Sequence, residues 1–123
     1  MKRDMELIRQ ILQSAEALEF VKGETHELYW SKSKHEAYQI ALMKDAGLVE
    51  AAVNTTSHIP TLASISRLTW AGHDFLDASR DDTIWKKAMI NIIKPGASYT
   101  FSLLVEWLKQ EAHDRIFRGP ATG

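Results

Sequence analysis

Lys34, His35, Tyr38 and Gln39 follow Ser33 within two turns of what should be a helix. A cation, an imidazole, a phenol and a carboxamide at the head of a helix are side chains suited to base edges in a DNA groove. Lys32, Lys44 and Arg67 add charge suited to phosphate contact. Glu36 stands among them and would repel phosphates. A solvated helix face behind a Ser33/Glu36 capping box accounts for the same residues without any ligand.

Other reactive side chains point to less. His73 and Asp77 are four apart and would share one face of a helix. A metal would need further ligands, and the remaining histidines, His26, His35, His58 and His113, form no second close pair. Cysteine is absent, which excludes thiolate ligands, disulfides and a cysteine nucleophile. The six glycines are scattered, so no loop cradles a phosphate. No strand-turn-helix elbow presents a serine nucleophile. The expectation is a protein without catalytic residues, metal or cofactor. Lys86, Lys87 and Lys94 follow Asp81 and Asp82, a distribution that complements a helix dipole.

A chain of 123 residues with 45% hydrophobic and 25% charged residues can bury one core. Its net charge of −1 lacks the strong basic excess usual in DNA-binding domains. No apolar run approaches the roughly 18 residues that span a membrane. Lys2 and Arg3 are followed by Asp4 and Glu6 rather than by an apolar signal core. A cytoplasmic protein off the membrane is expected.

Apolar periodicity places the elements. Met5, Ile8, Leu12 and Ala15 predict an amphipathic helix over 4–18. Gly23 breaks it, and 26–30 reads as a short strand with Leu28 and Trp30 on one face. A helix over 33–46 ends at Gly47. Strands over 48–53 and 63–68 flank a polar loop over 54–60, a hairpin with a long tip. Thr69 caps a helix to about residue 79, in which Gly72 permits close approach to the hairpin and Phe75-Leu76 packs back onto the domain. Asp81 or Asp82 caps the next helix, which aligns Trp85, Ala88 or Met89, and Ile92 and stops at Pro95-Gly96. Thr100 caps the last, with Phe101, Leu104, Val105 and Leu108 in one stripe. Leu103 and Trp107 lie on its flank, where they would meet a partner or a second copy of the chain. The hairpin tip has no Lys or Arg to reach a phosphate, and Ile59 there would be an exposed apolar contact for a protein.

The order helix, strand, helix, hairpin, helix resembles a winged helix-turn-helix. Leu68-Thr69-Trp70-x-Gly72-His73-x-Phe75-Leu76-Asp77, followed by Asp82-Thr83-Ile84-Trp85-Lys86-Lys87, resembles a family of small uncharacterised proteins. Its members are common in phages, prophages and bacterial mobile elements. Met1-Lys2-Arg3-Asp4-Met5 and Ala46-Gly47-Leu48-Val49-Glu50 fit the same family, so the resemblance covers most of the chain. It implies a fold and a genomic setting, and no activity. This chain has Gln39 where the family often has histidine, and Glu36 where it often has an aliphatic residue. The stretch between Gly23 and Ser33 leaves little room for both a strand and the extra helix of a full helix-turn-helix.

The resulting expectation is mainly α with a small β-hairpin (α+β): one winged-helix-like domain over 1–118, its core at 4–80, added helices at 81–117 and a flexible tail at 118–123. On fold analogy the first functional reading is a regulator that binds double-stranded DNA through Lys32, Lys34, His35, Tyr38, Gln39, Lys44 and Arg67. The rival is a non-enzymatic module that binds a host protein, a host-defence component being one candidate, through Leu103, Trp107 and Ile59. A homodimer through the C-terminal helix fits either.

Overall fold

The polar run over 54–60 is not a loop. The computed structural model, which describes residues 2–19, 28–93 and 99–118 and only the backbone of 19, 117 and 118, carries strand through most of it. β2 is Val49–Thr56 and β3 is Ile59–Leu68, joined by Ser57 and His58 alone. Both turn residues have positive φ, 52° and 68°. Two such residues in sequence make the turn whose twist matches a hairpin. Thr55 and Thr56 therefore behave as β-branched strand formers rather than as loop residues. Pro60 stands opposite Thr55, at a register shift that leaves Thr61 as an extra residue on β3. A second shift leaves Ser66 extra. Each bulged residue donates its hydroxyl to a carbonyl across the strand pair: Thr61 to Asn54 at 3.3 Å and Ser66 to Glu50 at 3.1 Å.

Ahead of the hairpin come α1 (Met5–Glu19), β1 (Tyr29–Trp30) and α2 (Lys34–Asp45). β1 pairs antiparallel with β3, so the sheet order is β1-β3-β2. Among the described residues α2 is the helix between β1 and the hairpin. α1 begins where the Asp4 carboxylate accepts the Leu7 amide at 3.1 Å. It buries Met5, Ile8, Ile11, Leu12 and Ala15 against β3 and α2. Ser33 caps α2 by accepting the Glu36 amide at 3.1 Å, and Gly47 follows with φ +78°. The expected capping box is only half formed, because the Glu36 carboxylate turns to Tyr29 and Lys32 instead.

α3 (Trp70–Ala78) starts at Thr69, whose Oγ1 accepts the Gly72 amide at 3.1 Å. The Thr69 amide donates to the Leu48 carbonyl at 2.9 Å, and its hydroxyl donates to the Gly47 carbonyl. A Cβ on Gly72 would run into that Leu48 carbonyl oxygen. Close approach to the hairpin is thus the reason for the glycine.

The chain divides into two units, 1–73 and 74–123, with the boundary inside α3. In the second, Phe75 is fully buried and meets Trp85 and Phe101 edge-on. Its ring partners are these two aromatics. α4 (Asp82–Ala88) buries Ile84, Trp85 and Ala88, then opens into a π-helical turn at Met89–Ile93. α5 (Phe101–Arg118) buries Leu104 and Leu108 and is capped by Thr100, which accepts the Leu103 amide at 3.1 Å. Arg118, expected in the tail, closes α5. Gly23, residues 26–27, Lys94, Pro95-Gly96 and residues 119–123 lie outside the described residues.

Asp81 caps α4 by accepting the Thr83 and Ile84 amides at 2.8 and 3.0 Å, and takes Arg115 Nη1 at 2.7 Å. The Ile84 amide and the Arg115 charge hold its carboxyl below the usual carboxylate range. A lowered folded pKa gives stability that is present above the unfolded pKa and lost as pH falls through the folded one. Asp81→Asn keeps a capping side chain but removes the charge. Its melting temperature should change less between neutral and acid pH than that of the parent. Parallel pH profiles would show that the carboxylate contributes nothing.

Candidate interaction surfaces

Gln39 does not face a groove. It is 0% exposed, and both ends of its carboxamide are engaged. Oε1 accepts the Asp4 amide at 2.9 Å, and Nε2 donates to the Lys2 carbonyl at 2.9 Å. Gln39 is thus a clip that lays residues 2–4 along α2, which corrects its expected role in reading bases. His35 is drawn into the same clip, with Nε2 3.2 Å from Asp4 Oδ2. Gln39→Leu would leave the part-buried Asp4 amide and Lys2 carbonyl without these partners, at about 1 kcal/mol. Thermal melting should show that loss, and amide exchange at Asp4 should quicken. An unchanged exchange rate would contradict the clip.

The clip brings Lys2 and Arg3, both exposed, beside the first turns of α2, where Lys34 is also exposed. Sequence spacing gave no sign of this, because Lys2 and Gln39 are 37 residues apart. Lys32 lies over the Tyr29 ring at 5.9 Å, and the Tyr29 hydroxyl donates to Glu36 Oε1 at 2.8 Å. Burial, then the Glu36 carboxylate, push the Tyr29 pKa well above its ordinary value, so the phenol keeps its proton. Tyr38 is half-buried. Lys44 is exposed at the far end of α2, about 15 Å along the axis from Lys34.

Arg67 is committed elsewhere. Its guanidinium grips both oxygens of Glu50 at 2.9 and 2.8 Å and reaches the Leu68 carbonyl at 3.1 Å. Both side chains remain about half exposed, so a phosphate at this position would compete with Glu50 for the guanidinium. Ile59 is exposed beside the two-residue turn, as expected of it.

The sheet has one buried face and one that is partly open, with Ser64 buried between more exposed neighbours. Tyr29, Ile65 and Ala51 lie opposite one another and point toward the helices; Tyr29 and Ile65 are buried. Trp30, Ser64 and Ala52 form the neighbouring row on the other face. There Trp30 is 53% exposed, and Leu62, two residues along β3 from Ser64, is 40% exposed. A diagonal neighbour of this kind is within reach of a large aromatic ring. Leu28, two residues before Trp30, is exposed as well. The alternation of Leu28 and Trp30 was visible in the sequence, but not that their face would be the open one. A further exposed aromatic, Trp70 at 84%, opens α3.

In the second unit Leu103 is 60% exposed and Trp107 half-buried, so only the first of the pair stands clear of the core. Lys87 lies 3.6 Å from Glu111, Lys109 lies 3.9 Å from Asp74, and Arg80 lies 2.9 Å from Asp77. These cations serve helix-to-helix and local pairing. His73 faces Glu16 at 3.7 Å rather than joining Asp77. Among the described residues no three His, Asp or Glu side chains converge on a metal position, and no helix is long and apolar enough to cross a membrane.

Residues 2–98 match the family described as "Hypothetical protein (DUF2513)". A relative from Haemophilus influenzae, described as "Uncharacterized protein", is 33% identical over 119 residues, 94% of this chain and 96% of its own. No solved structure matches. The family match takes in α1, the whole sheet, α2 and α3, and ends before α5. The chain, an α+β protein with a three-stranded antiparallel sheet, belongs to the DUF2513 family of unknown function.

Proposed function

We propose that this protein is a non-enzymatic interaction module whose open sheet face receives a partner protein. The observation that carries this is the exposure of Trp30 and Leu62 on the same face of a sheet whose other face is buried. A tryptophan left this open next to an aliphatic side chain forms a recognition anchor more readily than a chance surface residue does. The engagement of three candidate DNA-contacting side chains also supports it: Gln39 is buried, Arg67 pairs with Glu50, and His35 pairs with Asp4. A host protein is the partner that the sequence's resemblance to a family common in phages and mobile elements would imply.

A DNA-binding regulator is the second reading. It is favoured by Lys2 and Arg3 being clipped beside Lys34. One titration separates the two. A phosphate-contacting protein binds mixed-sequence duplex DNA at low salt and loses affinity steeply as salt rises. We expect no such complex. A salt-sensitive complex that Lys34→Glu abolishes would favour the second reading over the first.

A further inference from the structure

We propose that a second copy of this chain pairs antiparallel with β2, which would extend the sheet across a two-fold axis. The sheet order β1-β3-β2 leaves β2 at an edge. β2 is eight residues long, where strands average about 5–6. Edges are usually protected by lysine, proline, a bulge or a covering element. β2 has none of the first three: Pro60 and both bulged residues lie on β3. Among the described residues, the elements packed substantially against β2 are β3, its ladder partner, and α2. Ala52, Asn54, Thr55 and Thr56 are exposed, while Ala51 and Val53 are half-buried.

A second β2 is the occupant that fits this edge. Its exposed edge carries no lysine or proline, so two backbones can hydrogen-bond at the usual strand spacing of about 4.8 Å. Its one charge, Glu50, is at the strand's base and already carries Arg67. Antiparallel pairing centred on Ala52 or Val53 keeps the open faces of the two copies on the same side. It separates the two Glu50 residues by four or six positions, about 13–20 Å along the strands. That exceeds the Debye length of about 8 Å at physiological salt, so the carboxylates do not oppose association. The interface is self-complementary, as a two-fold dimer requires. It would set two Trp30 faces side by side. It does not depend on what those faces bind.

Sedimentation equilibrium of the full chain, up to millimolar concentration, tests the pairing. The parent should show a monomer–dimer equilibrium. Ala52→Lys, at an exposed position, should keep its circular dichroism spectrum and raise the dissociation constant at least about tenfold, because the two lysines would lie opposite each other or two positions apart on the same face. Ala52→Glu should do the same alone, and an equimolar mixture of the two variants should recover the dimer. A parent that stays monomeric throughout, or a dimer indifferent to Ala52→Lys, would overturn the proposal. So would a dimer that only Leu103→Asp disrupts, since that assigns association to α5. Failure here leaves partner binding by Trp30 to its own experiment.

Discussion

Phe75→Ala should destabilise the protein by about 3–5 kcal/mol, the usual range for emptying a buried aromatic site. Phe75 is 0% exposed and lies between two other rings. Its centroid is 6.1 Å from Trp85 at 85° and 5.7 Å from Phe101 at 88°. Edge-on pairs add about 0.5–1.5 kcal/mol each beyond burial, so two of them are lost with the ring. A domain with about 5–15 kcal/mol of total stability would be brought near its threshold. Phe75→Leu, which keeps most of the volume, should lose far less. Denaturant unfolding followed by tryptophan fluorescence measures both. Trp85 emission in Phe75→Ala should also shift to the red as water reaches the site. A loss under about 1 kcal/mol would mean that the three rings do not form the core of the second unit.

Gly72→Ala should destabilise as well, against the helix scale. Alanine in a helix interior normally gains about 1 kcal/mol over glycine. Here the added methyl meets the Leu48 carbonyl oxygen. That carbonyl cannot withdraw freely, because it accepts the Thr69 amide at 2.9 Å. Leu48 itself is buried at the start of the hairpin. Overpacking against backbone costs about 1–3 kcal/mol, which exceeds the propensity gain. Ala71→Gly, at the exposed neighbouring position, should cost about 0.5–1 kcal/mol. The pair of variants thus gives loss of stability in both directions of the same exchange. A stabilised Gly72→Ala would contradict the close approach of α3 to the hairpin.

What was legible in the sequence was local. Ser33, Thr69, Asp81 and Thr100 cap their helices because a cap needs only the next three residues. Gly72 was legible for a similar reason, as a glycine inside an otherwise sound helix. The hairpin tip was misread because Asn54, Thr55, Thr56 and Pro60 suggested a loop by composition, whereas two residues in the left-handed region close the turn. The partners of Gln39 and Arg67 were not legible because they are distant in the chain. Gln39 is filled by residues 2 and 4 of the N-terminal segment, and Arg67 by Glu50 across a register that only the folded hairpin defines. The candidate site moved for the same reason. Alternation placed Leu28 and Trp30 together, but which face stays open depends on where α1 and α2 pack.

Quantitative capture of a partner from nuclease-treated host lysate tests the proposed interaction face most directly, with Trp30→Ala, Leu62→Asp and Leu103→Asp as companion baits. The parent and Leu103→Asp should retain one protein in stoichiometric amount. Trp30→Ala should weaken it by at least about 30-fold, the effect of truncating a central aromatic anchor, and Leu62→Asp should abolish it. Retention that vanishes with nuclease, or that survives both sheet-face substitutions, would contradict a protein partner on the open face of the sheet.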